Sequence, residues 1–119
     1  MHELSIAQNI VDIVGQYVPS EQMDAVRSVR LRVGSLSGIV PESLDFCFAA
    51  IVSGTALSRA ALAIEQVPTR AKCRDCGISF PIDDSIFICS SCGGTGIQVL
   101  SGTELQVVEI ELADQNEAV

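Results

Sequence analysis

Four of the five cysteines form two Cys-x-x-Cys-Gly motifs, at residues 73–77 and 89–93, with twelve residues between the two cysteine pairs. Each motif presents two thiolates from one tight turn, and its glycine allows the backbone to bend so that amides point toward sulfur. A closed set of four thiolates is typical of structural zinc. The spacing therefore predicts a Zn(II) site whose ligands are Cys73, Cys76, Cys89 and Cys92.

Three other interpretations of the paired cysteines are a redox dithiol, an iron–sulfur site and a nucleic-acid-binding zinc ribbon. A redox Cys-x-x-Cys normally lies at a helix start within a β–α–β pattern, and neither pair has that sequence context. Iron stays an alternative because four thiolates also suit it. A ribbon that binds nucleic acid is disfavoured because segment 72–93 has two basic and three acidic residues, the wrong sign for phosphate.

The only histidine is His2, and it raises the question of a second metal site. Methionine removal generally requires a small second residue, so we expect Met1 to stay. Its α-amine, the intervening amide and the imidazole can form fused chelate rings around one divalent ion. Such nitrogen-rich ligation suits Ni(II) or Cu(II) better than zinc, calcium or magnesium. A frayed terminus without function is the alternative interpretation of these residues.

The composition excludes several classes of protein. The chain has 119 residues, 48% of them hydrophobic, and a net charge of −8 from 7 basic and 15 acidic residues. Such acidity argues against a protein that coats nucleic-acid phosphates. The hydrophobic fraction argues against disorder. With no Trp and only 4% aromatic residues, the core must be aliphatic, in one domain or in one domain with a small insert.

The start of the chain predicts the cellular compartment. No Lys or Arg precedes Arg27, so the basic start of a secretory signal is missing. No apolar run approaches the length that would span a bilayer. We therefore expect a cytoplasmic protein without a membrane segment, where thiols act as metal ligands or reactive groups rather than as disulfides.

Hydrophobic periodicity predicts two helices and three strands. Apolar residues from Leu4 to Val18 recur every three or four positions, as in an amphipathic helix that ends before Pro19. Residues 28–33 alternate between apolar and polar side chains, as in a half-buried strand. In chain order, the predicted elements are a helix over 4–18, a strand over 28–33, a helix from Pro41 to Gly54, a strand over 61–67 and a strand over 105–112.

Residues 70–97 differ from the rest because they hold few large aliphatic side chains. Such a segment cannot build its own core, so something else must hold it together. We expect a short hairpin there, formed by residues 78–80 and 86–88, and a buried inert thiol at Cys47 on the second helix. The fold class is α+β: two helices on a three-stranded sheet, from residues 1–69 and 98–119, with an inserted four-cysteine, zinc-ribbon-like module over 70–97.

Several short motifs occur in order over nearly the whole chain. Besides the two cysteine motifs, they are Met1-His2-Glu3-Leu4-Ser5, Gly34-Ser-Leu-Ser-Gly38, Gly54-Thr55 and Ser101-Gly-Thr-Glu-Leu105. Together they resemble the HypA/HybF family of hydrogenase-maturation nickel metallochaperones. The resemblance implies Ni(II) bound through Met1, His2 and Glu3, and a separate zinc on the four paired cysteines. It also implies delivery to the large subunit of [NiFe]-hydrogenase, together with a HypB-type GTPase.

A zinc-stapled protein-interaction module without metal transfer is the competing hypothesis from another functional class. It predicts one bound metal per chain and indifference to changes at the N-terminus. An enzyme is not expected, because one histidine and a closed metal site provide no nucleophile–base pair. Monomer, homodimer and swapped dimer are all compatible with the sequence.

Overall fold

The computed structural model describes residues 3–82 and 86–113. Its elements follow the predicted order helix–strand–helix–strand, then a cysteine-rich segment and a last strand. Short 3-10 turns occur at Ser20–Ala25 and Ser35–Ser37. The helices are α1 (Glu3–Tyr17) and α2 (Pro41–Val52), and the strands are β1 (Val26–Gly34), β2 (Ala61–Val67), β3 (Arg70–Cys73), β4 (Ser79–Pro81), β5 (Ile97–Ser101) and β6 (Leu105–Leu112).

Both helices bury most of the apolar face that their sequences predict, although Leu4, where the predicted stripe of the first helix begins, is 56% exposed. In α1 one face of the helix is buried, at Ile6, Ala7, Ile10 and Val14. In α2 the buried residues Leu44, Phe48 and Val52 are each four positions apart, so they lie on one side of the helix. Cys47 lies on α2 beside that face as a half-buried free thiol, more accessible than the buried thiol that the sequence predicts.

The predicted three-stranded sheet is present, with strand order β2-β1-β6. In the central strand, Val29 and Leu31 are fully buried, whereas Arg30 between them is exposed and lies 3.5 Å from a carboxylate oxygen of Glu65 and of Glu109. The Ala113 N–H donates to the Ala25 carbonyl, so the end of β6 meets the start of β1 and the two strands are antiparallel.

A second sheet, of order β4-β3-β5, contradicts the hairpin predicted from residues 78–80 and 86–88. Strand β4 pairs instead with β3, with Ala71 opposite Phe80. Residues 86–88 form no strand and are exposed. The apolar run at 86–88 therefore does not mark a sheet face. The first cysteine motif is the turn of the β3–β4 hairpin, and this local connection decides which segments pair.

The chain divides into two compact units. We call the described parts of residues 1–31, 39–65 and 106–119 the helical unit, and residues 32–38 and 66–105 the cysteine unit. The cysteine unit contains the predicted 70–97 segment together with residues that flank it. Within the two described stretches, neither helix has both the length and the apolar character needed to cross a membrane.

Two of the family-like motifs, Gly34–Gly38 and Ser101–Leu105, contact each other within the cysteine unit. The Gly34 N–H donates to the Glu104 carbonyl at 2.8 Å, and the Leu36 N–H donates to the Gly102 carbonyl at 2.7 Å. The Glu104 carboxylate accepts the Gly102 N–H at 2.8 Å. Hydrogen bonds from the backbone N–H groups of Glu104 and Gly102 hold the pKa of that carboxyl below its ordinary value, so it accepts as a carboxylate at neutral pH.

Candidate metal centre

The structure brings the four predicted zinc ligands together. Their sulfur atoms all lie within 4.8 Å of one another. Cys73 Sγ is 3.6 Å from Cys92 Sγ, and Cys76 Sγ is 3.6 Å from Cys89 Sγ. A tetrahedral site with Zn–S bonds of about 2.3 Å needs sulfurs about 3.8 Å apart, whereas a disulfide needs about 2.05 Å. The spacing therefore fits a tetrahedral metal site and does not fit a disulfide.

The two cysteine motifs have the same backbone geometry. In the first turn, the Gly77 N–H donates to the Cys73 carbonyl, and the Cys73 N–H donates to the Ile78 carbonyl. The second turn repeats both hydrogen bonds with Gly93, Cys89 and Gly94 in the corresponding positions. Gly77 and Gly93 have φ values of 78° and 74°, in the left-handed region that favours glycine. The sequence-based interpretation of the two glycines is confirmed.

The pKa values of the two cysteines in the second turn are shifted in opposite directions. The N–H groups of Cys92 and Ser91 donate to Cys89 Sγ at 3.5 and 3.4 Å, and they lower the pKa of Cys89 to about 6. At Cys92 the Gly94 N–H lowers the pKa, but the neighbouring thiols of Cys73 and Cys89 outweigh it and raise the pKa to about 12. In this folded arrangement the Cys89 sulfur therefore gives up its proton to a metal more readily than the Cys92 sulfur does.

Two of the four ligands are also core residues. Cys73 is fully buried and Cys89 is 2% exposed, whereas Cys76 and Cys92 are exposed. The small core of the cysteine unit is formed by Ala71, Cys73, Phe80, Ile82 and Cys89, with Ile97 packed against it. Sequence reasoning did not find the core role of Phe80 and Ile82. The signal available was their alternation in Phe80-Pro-Ile82, which places both side chains on one face of an extended segment.

Of the predicted nickel ligands, Met1 and His2 lie outside the described residues, so the structure does not test them. Glu3 is the first residue of α1 in the helical unit. One of its carboxylate oxygens, Oε2, accepts the backbone N–H of Val40 at 3.2 Å. The structure therefore gives the Glu3 side chain a protein partner at the start of α2.

Comparisons with known proteins cover nearly the whole chain. Residues 1–112 match the HypA family, described as hydrogenase/urease nickel incorporation, metallochaperone. The hydrogenase maturation factor HypA of Geobacter sulfurreducens is 42% identical over 112 residues, which cover 94% of this chain and 99% of that protein. The factor of the same name from Streptomyces avermitilis is 43% identical over 116 residues, covering 96% of this chain and 88% of that protein.

A solved structure supports the fold. The solution structure of the Ni metallochaperone HypA from Helicobacter pylori matches with a TM-score of 0.64 at 18% identity, covering 97% of this chain and 100% of that one. This confirms the α+β architecture, while the sequence matches above establish the relationship. The chain belongs to the HypA family of hydrogenase-maturation nickel metallochaperones.

Proposed function

We propose that this chain binds Ni(II) at its N-terminus and delivers it during the maturation of [NiFe]-hydrogenase. The observation that carries the proposal is the family match, which begins at residue 1 and includes Met1, His2 and Glu3. The chemistry of these residues agrees with it, because an α-amine, a backbone amide and an imidazole form the nitrogen-rich ligand set that Ni(II) prefers.

Release of the cargo follows from the same ligand types. Protonation of the amine and the imidazole competes with nickel, so mild acid favours release. The ligands come from consecutive residues at one chain end, so a receiving site can replace them one at a time. Met1 and His2 supply the nitrogen ligands in this proposal, and Glu3 contributes its backbone or its orientation.

The second metal in the proposal is a resident Zn(II), held by Cys73, Cys76, Cys89 and Cys92. The close approach of their sulfurs supports four-thiolate ligation. A closed site of this kind exchanges its metal slowly and stabilises the fold. We assign zinc binding to residues 70–97 and nickel binding to residues 1–69 and 98–119, so that the stable and the exchangeable metal occupy different parts of the chain.

The proposed partners are those that the resemblance implies. A HypB-type GTPase acts with this chain, and the large subunit of [NiFe]-hydrogenase receives the nickel; a homodimer is a further proposed assembly. We propose a cytoplasmic protein that transfers a metal and does not catalyse a reaction. Nucleic acid and membrane are not among its proposed partners, because the net charge of −8 repels anionic surfaces.

Blocking the α-amine tests the nickel site. Two residues added ahead of Met1 convert its α-amine, a direct ligand in this proposal, into an amide. We therefore expect the nickel affinity, measured by titration, to fall by more than the roughly 10–100-fold that loss of an outer-shell partner costs. We expect His2→Ala to have a similar effect. Zinc content, measured by elemental analysis, should stay unchanged in both variants.

The matched control carries the same two residues after Val119 and keeps the affinity of the untagged protein. Unchanged nickel affinity in the N-terminally extended protein would reject the proposal and favour an interaction module that holds zinc alone. Loss of both metals in His2→Ala would reject separate sites.

A further inference from the structure

Helix α2 begins without a side-chain cap of its own. Its N-cap residue is Val40, with φ −89° and ψ 112° and no side-chain hydrogen bond of the capping type. In a capping box, a Glu or Gln three residues after the N-cap accepts the N-cap N–H. That position is Ser43 here. The Val40 N–H instead donates to Glu3 Oε2, from another helix, at 3.2 Å.

This contact connects the starts of two helices across 37 residues of sequence. Glu3 is the first residue of α1, and Val40 directly precedes α2. Helix N-termini carry partial positive charge, so the Glu3 carboxylate, which lies at the starts of α1 and α2, stabilises both helices. The hydrogen bond has an ionised acceptor, which makes it stronger than a bond between neutral groups.

We infer that Glu3 is a positioning residue, whose carboxylate holds the Val40 N–H and thereby fixes the backbone from which Met1 and His2 extend. The consequence for nickel rests on the proposed function; the contact itself does not. A terminus whose third residue is held loses less conformational freedom when the metal binds. Glu3 therefore raises nickel affinity through the backbone, and its carboxylate is not required as a metal-ligating oxygen.

Two substitutions of Glu3 separate positioning from ligation. In Glu3→Gln the amide oxygen still accepts the Val40 N–H, but the anionic ligand is lost. We expect Glu3→Gln to keep nickel affinity within about twofold and Glu3→Ala to weaken it about tenfold, the effect of one hydrogen bond. Equal losses in both variants would indicate ligation, and no loss in either would show that Glu3 is dispensable; each result overturns the inference.

Val40→Pro removes the donor without changing the N-terminal residues. The φ of −89° is near the proline range, and the extended ψ already suits a residue that precedes Pro41. The residue-40 carbonyl still accepts the Leu44 N–H. We expect about the same tenfold loss of nickel affinity as in Glu3→Ala, and no further loss in the double variant, since both remove one contact. Additive losses would overturn the inference.

Amide hydrogen exchange measured without nickel tests the Glu3–Val40 contact independently of the metal site. Hydrogen exchange of the Val40 amide should be about tenfold faster in Glu3→Ala and unchanged in Glu3→Gln. The matched control is Glu42→Ala, which removes a carboxylate from the first turn of α2 and leaves the Val40 contact in place. Unchanged exchange in Glu3→Ala overturns the inference. If His2→Ala binds nickel normally while Val40 exchange responds, the proposed nickel site fails and the contact stands.

Discussion

Replacing Cys73 with serine is expected to remove the zinc and to unfold the core of the cysteine unit. Cys73 is the fully buried last residue of β3, and its sulfur lies 3.6 Å from that of Cys92. A serine hydroxyl is a poor zinc ligand compared with a thiolate. Structural zinc contributes an apparent binding free energy of about 10–16 kcal/mol in small zinc-finger peptides, so loss of one ligand removes most of what holds this unit.

The size of the effect follows from how little else the cysteine unit can bury. The buried cluster around the sulfurs contains two ligands, Cys73 and Cys89, and three other buried members, Ala71, Phe80 and Ile82. Burial of a side chain such as Phe or Ile contributes about 1.5–3 kcal/mol. Ordering one residue costs about 1–2 kcal/mol in backbone entropy. Without the metal, three short strands therefore cannot offset the cost of their own ordering.

Zinc content and amide hydrogen exchange check this expectation together. Cys73→Ser should contain far less than one zinc per chain, and the amides of β3 and β5 should lose protection. The matched control is Cys47→Ser, which changes a half-buried thiol on α2, outside the cluster. Native protection of β3 in zinc-free Cys73→Ser would show that the unit folds without metal. It would also remove the structural role from the four-cysteine site.

Periodicity was sufficient to predict the helical unit. The three- and four-residue spacing of α1 and the alternation in β1 each arise from one element with one buried face. Patterns of this kind are local, because they do not depend on contacts with residues far away in the sequence. The order β2-β1-β6 was not predictable in the same way, because strand order depends on contacts between segments far apart in sequence.

The cysteine unit shows where periodicity fails. Ile86, Phe87 and Ile88 form an apolar run but are exposed and form no strand. The ligand spacing was nevertheless sufficient to predict the four-sulfur cluster, because metal ligation imposes a short-range rule on residue types. The Glu3–Val40 contact had no local signal at all. It joins a side chain in one helix to a backbone amide before another, and only the tertiary structure brings them together.

Gly34→Ala is the second substitution that we expect to lower the free energy of unfolding by a large amount. A Cβ atom at Gly34 would overlap the Gly102 carbonyl group and lie 2.6 Å from the Thr103 nitrogen. These are backbone atoms, so no side-chain rotation relieves the clash. Gly102 cannot retreat freely: its φ is 114°, and its own Cα faces Thr69 so closely that a Cβ there would lie 2.6 Å from the Thr69 hydroxyl oxygen.

The clash would also break hydrogen bonds that connect the two motifs. Separation of the strands lengthens the Gly34 N–H to Glu104 and Leu36 N–H to Gly102 bonds, now 2.8 and 2.7 Å. We expect a loss on the order of 4 kcal/mol in the free energy of unfolding, at the upper end for single substitutions, since steric overlap and broken hydrogen bonds add. Chemical denaturation followed by circular dichroism measures it.

Gly15→Ala is the control for adding a methyl group at a glycine. Gly15 lies in α1, and a Cβ there would meet nothing within 4 Å. Alanine in a helix is favoured over glycine by roughly 0.5–1 kcal/mol, so this variant should be more stable than the parent protein. The two substitutions therefore have opposite signs although they add the same atoms. A Gly34→Ala protein as stable as Gly15→Ala would show that the two motifs separate without cost.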